Sequence, residues 1–128
     1  MTAIEGIEER LNKAKGLLEA GNTEAGRMVL LELLKEEPHN ATALLILGGV
    51  YFSEKKYAEA EMVYERLILA EPGSGLLSTA LFNTLWQQGR HEEAAEEIRR
   101  FIAVADKTRE RETIAKYAEL IKTITGQE

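Results

Sequence analysis

Cysteine is absent from this 128-residue chain, which excludes disulfide frameworks, thiolate nucleophiles, zinc ribbons and iron–sulfur sites. Histidine is nearly absent, with only His39 and His91, proline occurs twice, and aromatic residues make up 6%. An excess of positive charge is lacking too. The 16 Lys+Arg stand against 22 Asp+Glu, a formal net charge of −6, and a chain without a basic face has nothing with which to displace counterions from phosphates, so no nucleic-acid partner is expected. The longest apolar run, Ala43 to Phe52, is about half a membrane span. The N-terminus, Met-Thr-Ala-Ile-Glu-Gly-Ile-Glu-Glu-Arg, is acidic where a signal peptide is basic. The expectation is a cytoplasmic chain with no direct membrane insertion. What is present, 45% hydrophobic and 30% charged residues, is the composition of one ordinary soluble domain.

The two prolines reveal the organisation. Pro38 and Pro72 are 34 residues apart, and other positions recur at the same interval, as they do in repeat architectures. Leu33, Leu67 and Phe101 form one such triplet; Leu30, Tyr64 and Ile98 form a second; Gly26, Ala60 and Ala94 form a third. Earlier in the unit come Leu17, Tyr51 and Leu85, then Leu18, Phe52 and Trp86, then Gly21, Lys55 and Gly89 at a turn. The period divides the chain into repeats 7–40, 41–74 and 75–108, followed by a tail. Each repeat reads as two helices. In the second, Leu44, Leu47, Gly48, Tyr51 and Phe52 share one helical face, and Ala60, Val63, Tyr64, Leu67 and Ile68 share another. Glu54-Lys55-Lys56 interrupts between them, and Pro72 ends the second because it cannot continue the hydrogen-bond ladder. A short turn makes the two helices antiparallel neighbours. In the tail, a helix over 109–125 carries Ile114, Tyr117, Ala118, Ile121 and Ile124 on one face and charge elsewhere. That is the composition of a cap covering the open end of a stack, with Gly126 as its stop.

Catalytic groupings are not evident. His39 and His91 lie in or beside turns, 52 residues apart, without a credible partner for metal binding or base catalysis. The pairs Glu8-Glu9, Glu36-Glu37, Glu92-Glu93 and Glu96-Glu97 read as solvated helix faces or first turns. Gly48-Gly49 has no strand before it and no lysine after it, so it is no phosphate loop. No enzyme, metal site or cofactor is expected.

The unit resembles the tetratricopeptide repeat, on Leu44, Leu47-Gly48, Tyr51, Ala60, Tyr64, Leu67 and Pro72 of the second copy, and the resemblance covers 102 of the 128 residues. The third copy departs at Ser78, Phe82 and Asp106, the first at Arg10 and Lys13. The resemblance implies an all-α, right-handed superhelical stack of three antiparallel helix pairs with a terminal capping helix, and a close-contact role for Gly48. It also implies a concave groove lined by positions 2, 5, 9 and 12 of each unit. These are Glu8, Leu11, Lys15 and Leu18; Thr42, Leu45, Gly49 and Phe52; Leu76, Thr79, Asn83 and Trp86. The lining is largely apolar, with Lys15 and Asn83 as polar anchors. Of the cationic clamp by which some relatives hold a peptide carboxylate, only Lys15 remains. The expected function is a non-enzymatic adaptor, scaffold or chaperone-like module. Its expected partner is another protein or peptide segment, amphipathic or extended and apolar. The alternative is a self-assembling homo-oligomer docking through its acidic first repeat, since the net charges of residues 1–40, the second and third repeats and the tail run −3, −2, −1 and 0.

Overall fold

The computed structural model describes residues 6–126. Among these there are seven helices and no strand: α1 (Ile7–Glu19), α2 (Thr23–Glu36), α3 (Ala41–Ser53), α4 (Tyr57–Ala70), α5 (Gly75–Gln87), α6 (His91–Val104) and α7 (Arg111–Thr125). Each of the three pairs closes with the same turn. The amides of Asn22, Lys56 and Arg90 donate to carbonyls five residues back, at Leu17, Tyr51 and Leu85, over 2.8, 2.8 and 3.1 Å. That closure needs one residue in the left-handed region. Gly21 (φ 82°) and Gly89 (φ 74°) supply it freely, whereas Lys55 (φ 62°) adopts it against the clash of its own Cβ. The next pair is launched by a side-chain cap: Asn40 accepts from the Ala43 amide (2.9 Å) and Ser74 from the Leu77 amide (3.2 Å), each satisfying an orphan donor of the first turn.

Packing within pairs follows the size of the facing residues. A Cβ on Gly26 would stand 2.7 Å from Leu18 Cδ2, and one on Gly48 would stand 2.7 Å from Tyr64 Cε1. Both glycines therefore mark places where a side chain of the same pair fills the space a Cβ would need. Gly49 has nothing within 4 Å of the equivalent point. In the third pair Phe82 stands where Gly48 stands in the second, and its buried ring lies 5.7 Å from that of Trp86 and 5.9 Å from that of Tyr117.

The core is two clusters with α3 as the wall between them. Ala43, Leu47 and Val50 join Leu11, Ala14, Leu30 and Leu33 on one side, while Leu44 faces Ala60, Tyr64, Leu67, Leu77, Leu81 and the rest of the C-terminal cluster on the other. This explains why Ala43 to Phe52 is apolar almost all round. Polar clasps then tie successive pairs. Arg27 of α2 grips both oxygens of Glu54 at 2.7 and 2.6 Å; one unit later the charges are reversed, with Glu61 of α4 accepting from Gln88 (3.0 Å) and Arg90 (2.5 Å).

The terminal helix begins at Arg111, two residues later than the periodicity predicts. Asp106 is the reason: its Oδ1 accepts from the amides of Thr108 (2.9 Å) and Arg109 (2.8 Å), and its carbonyl accepts from Glu110. These bonds hold a capped turn where the earlier repeats have proline. The same two amides hold the Asp106 carboxyl below its ordinary value.

Candidate functional site

The twelve positions expected to line the groove divide into four groups. Leu11 is a correction: it is 8% exposed and belongs to the core cluster of α1, α2 and α3, because as the outermost helix α1 must use its few large apolar residues to cover α2. Leu18, Phe52 and Trp86 are each engaged by the second helix of their own pair. Leu18 lies over Gly26, the Phe52 ring meets Tyr57 edge-on at 5.3 Å, and Trp86 stacks on His91 at 3.9 Å while remaining 37% exposed. The Phe82 ring stacks on Trp86 as well, at 5.7 Å, so what Trp86 presents to solvent is the part left outside these two contacts. Glu8, Lys15, Gly49, Thr79 and Asn83 are exposed polar or small positions.

Thr42, Leu45 and Leu76 are the members that the fold brings together. With Ala41, Leu67, Ala70 and Leu77 they surround an open recess of about 160 Å³ between the start of α3, the end of α4 and the start of α5, with Glu71 and Ser74 also on its wall. Leu76 is 67% exposed, while Leu45 is half-buried against the C-terminal cluster. The recess exists because Asn40 and Ser74 both cap helices there, placing two first turns side by side, and Ala41 and Ala70 leave room between them. A space of this size accepts one branched aliphatic side chain, and its walls reward an apolar one.

A second arrangement escaped the reading of the sequence. Glu97 is 6% exposed rather than on a solvated face, and Ser78 is fully buried. Ser78 Oγ is 2.7 Å from Glu97 Oε2 and 2.8 Å from the Tyr117 hydroxyl. A serine has one hydroxyl proton, so with Glu97 ionised it donates to that carboxylate and accepts from Tyr117. Arg100 completes the group with two bonds to Glu97, 2.7 and 2.6 Å, and reaches the Pro72 carbonyl at 2.8 Å. Burial raises the Tyr117 hydroxyl above its ordinary value and Glu97 adds to this, against the bond to Ser78. The anomalous Ser78 was the one signal available in the sequence. The group fastens α7 to α5 and α6, and every member is partnered.

Beside it, Glu61 and Glu65 diverge. Burial opposes ionisation of Glu61, but the bonds from Arg90 and Gln88 outweigh it and its carboxyl lies below the usual value. Glu65 is raised, by burial and then by repulsion from Glu61. Among the described residues no three His, Asp or Glu side chains converge as metal ligands, and no helix is long and apolar enough to cross a membrane.

A family model described as tetratricopeptide repeat matches residues 11–75, and a second of the same description matches 51–111. The chain belongs to the tetratricopeptide repeat family. None of the curated proteins matches the sequence. Among solved structures, this repeat protein is similar to the type III secretion chaperone SycD of Yersinia enterocolitica, whose structure was determined in complex with a peptide of the translocator YopD. The TM-score is 0.78 at 17% identity, over 96% of this chain and 95% of that one. It is also similar to a D159K mutant of MamA (TM-score 0.74, 20% identity, 96% of this chain and 66% of that one) and to MamA AMB-1 (0.73, 20%, 95% and 70%). At these identities the likeness is one of fold, a helical solenoid.

Proposed function

We propose that this protein is a non-enzymatic interaction module of adaptor, scaffold or chaperone-like type, which holds an extended or amphipathic apolar segment of another protein. The observation that carries the reading is the recess walled by Leu45, Leu67, Ala70, Leu76 and Leu77. It is an apolar opening made of first turns that the Asn40 and Ser74 side chains cap and that are already in place before a ligand arrives, so little ordering is needed on binding. A leucine- or valine-sized side chain of the partner fills it, and the exposed part of Trp86 and the amide of Asn83 extend the contact along α5. The peptide carried by SycD, a structure of the same fold, is in keeping with this.

The experiment is a fluorescence-polarisation screen of short labelled peptides in which a central Leu or Val is varied. Leu45→Glu and Leu76→Glu, each checked by circular dichroism, are the test variants. Peptides with an aliphatic centre should bind, with little dependence on salt, and lose on the order of tenfold affinity or more with either variant. Folded variants that bind as the parent does would refute the recess as the site.

End-to-end assembly through the first repeat has less support. The outer face of α1 bears Glu8, Glu9, Asn12 and Lys13, and that of α7 bears Arg111, Glu112, Lys116 and Glu119, all exposed. Neither end presents the apolar area that a stack requires.

A further inference from the structure

The second helices of the first two pairs each expose two large apolar side chains. On α2, Met28 is 54% and Leu31 36% exposed; on α4, Met62 is 73% and Leu69 84% exposed. Met28 and Met62 are 34 residues apart and hold equivalent places. The two helices stand side by side and run the same way: Arg27, near the start of α2, grips Glu54 just ahead of α4. Beyond the end of α2, His39 Nδ1 lies 3.1 Å from Nη2 of Arg66 in the second half of α4. The streak stops at α6, where Glu96 and Arg99 take the places of Met62 and Glu65 and are exposed. Its four members leave on the order of 400–500 Å² of apolar side chain in water, at the upper end of what a monomer carries in one patch. With its charged rim the face approaches the ~800 Å² that each partner of a stable complex buries.

The rim indicates what covers it. At equivalent exposed places α2 has Glu32 and α4 has Arg66. Glu32 is paired with Lys35 one turn on in its own helix (3.0 Å), and because the two helices lie side by side facing the same way, Glu32 and Arg66 do not meet within one chain. We propose that this face binds a second copy of the chain, about a two-fold axis lying parallel to the helices between α2 and α4, so that each α2 covers the other copy's α4. The axis keeps levels matched. Met28 then meets the second copy's Met62 and Glu32 meets its Arg66, while Leu31 lies across from its Glu65 and the aliphatic stem of Lys35 across from its Leu69, and the contact is made twice, as in any isologous interface. The methionines suit such a contact, since their unbranched side chains adjust to one another. The recess at Leu45 and Leu76 lies at the first turns of α3 and α5 and stays free, so the pair would offer two of them.

Sedimentation velocity across a concentration series, on the full chain, tests this. A monomer–dimer equilibrium is expected, weakened roughly tenfold or more by Met62→Lys or Leu69→Glu. Glu32→Arg alone should weaken it by setting two cations together, and the double variant Glu32→Arg with Arg66→Glu should restore it. Circular dichroism verifies that each variant is folded. A parent protein that stays monomeric at high micromolar concentration overturns the proposal, as it would if the face served a different partner. A dimer indifferent to Met62→Lys and Leu69→Glu, or one that the double variant fails to restore, overturns it equally.

Discussion

Between α1 and α4 the helices of each pair meet at small residues, with the Arg27–Glu54 clasp between the pairs: Gly26 lies under Leu18, Gly48 under the Tyr64 ring, and Ala14 and Ala60 are fully buried. Between α5 and α7 the same solenoid is held differently. Phe82 stands where Gly48 stands one unit earlier, and its ring packs outward against Tyr117, while Ser78, Glu97 and Arg100 make a buried polar group whose bonds cross to α7. The difference follows from what each part must hold. Successive pairs of like construction can approach through missing side chains, because each presents the next with a surface of matching shape. On α7 only Tyr117 is buried, so hydrogen bonds in a dry setting fix its register where shape alone would let it slide.

The most severe way to break the comparison is to remove 109–128. Phe82, Phe101, Ser78 and Glu97 lose their cover at once, and the polar group is left without the Tyr117 donor. The truncated protein should aggregate or lose several kcal/mol in denaturant titration. A monomer melting at the parent temperature would show that α7 is an accessory. Next, Gly48→Leu should cost about 1–3 kcal/mol, since its side chain must enter the space held by the Tyr64 ring, whereas Gly49→Ala should be neutral or stabilise by up to about 1 kcal/mol through helix propensity. Equal denaturant midpoints for the two variants would mean that the facing of α3 is other than described.

At the polar end, Tyr117→Phe keeps the ring but removes the donor to Ser78, and should cost about 0.5–1.5 kcal/mol. It should also change the alkaline response. The folded Tyr117 hydroxyl is raised above its ordinary 10.0, so its contribution is complete below that value and is lost as pH climbs through the higher folded one. The variant should lose less stability over that range, with Tyr64, also raised by burial, accounting for what remains. Identical pH–stability curves for parent and variant would contradict the assignment. The smallest effect is expected at a turn: Lys55→Gly should stabilise by ~0.5–1 kcal/mol by relieving the left-handed strain that Gly21 and Gly89 avoid. A thermal melt decides it, and destabilisation would argue that the Lys55 side chain contributes more than its backbone costs.

The repeat and the helix pairs were legible in the sequence because they are periodic, and the close contact at Gly48 was read from the resemblance. A single proline interval brought every equivalent position into view. What departs from the period was hidden for the same reason. Glu97 looks like its solvated neighbour Glu96, and only the pairing of Ser78 with Tyr117, 39 residues on rather than 34, buries it. The groove positions were read from the resemblance, and four of them are engaged by packing within the first pairs or under their own second helix: Leu11, Leu18, Phe52 and Trp86. The recess itself is shaped partly by Ala70, Leu67 and Leu77, which no spacing rule singles out, since a cavity depends on what is small as much as on what is apolar. Asp106 is legible in retrospect as a capping residue in the place of a proline.

The recess lies where the two constructions meet, between the dry wall of α3 and the first turn of α5, and a direct measurement of what touches it tests the functional account most sharply. A photo-crosslinking amino acid placed at Leu76, and in a second sample at Lys116 on the outer face of α7, can be activated with an aliphatic peptide selected in the binding screen. The account predicts an adduct from position 76 that an excess of unlabelled peptide abolishes, and none from position 116. An adduct from position 116 with none from position 76 would contradict it.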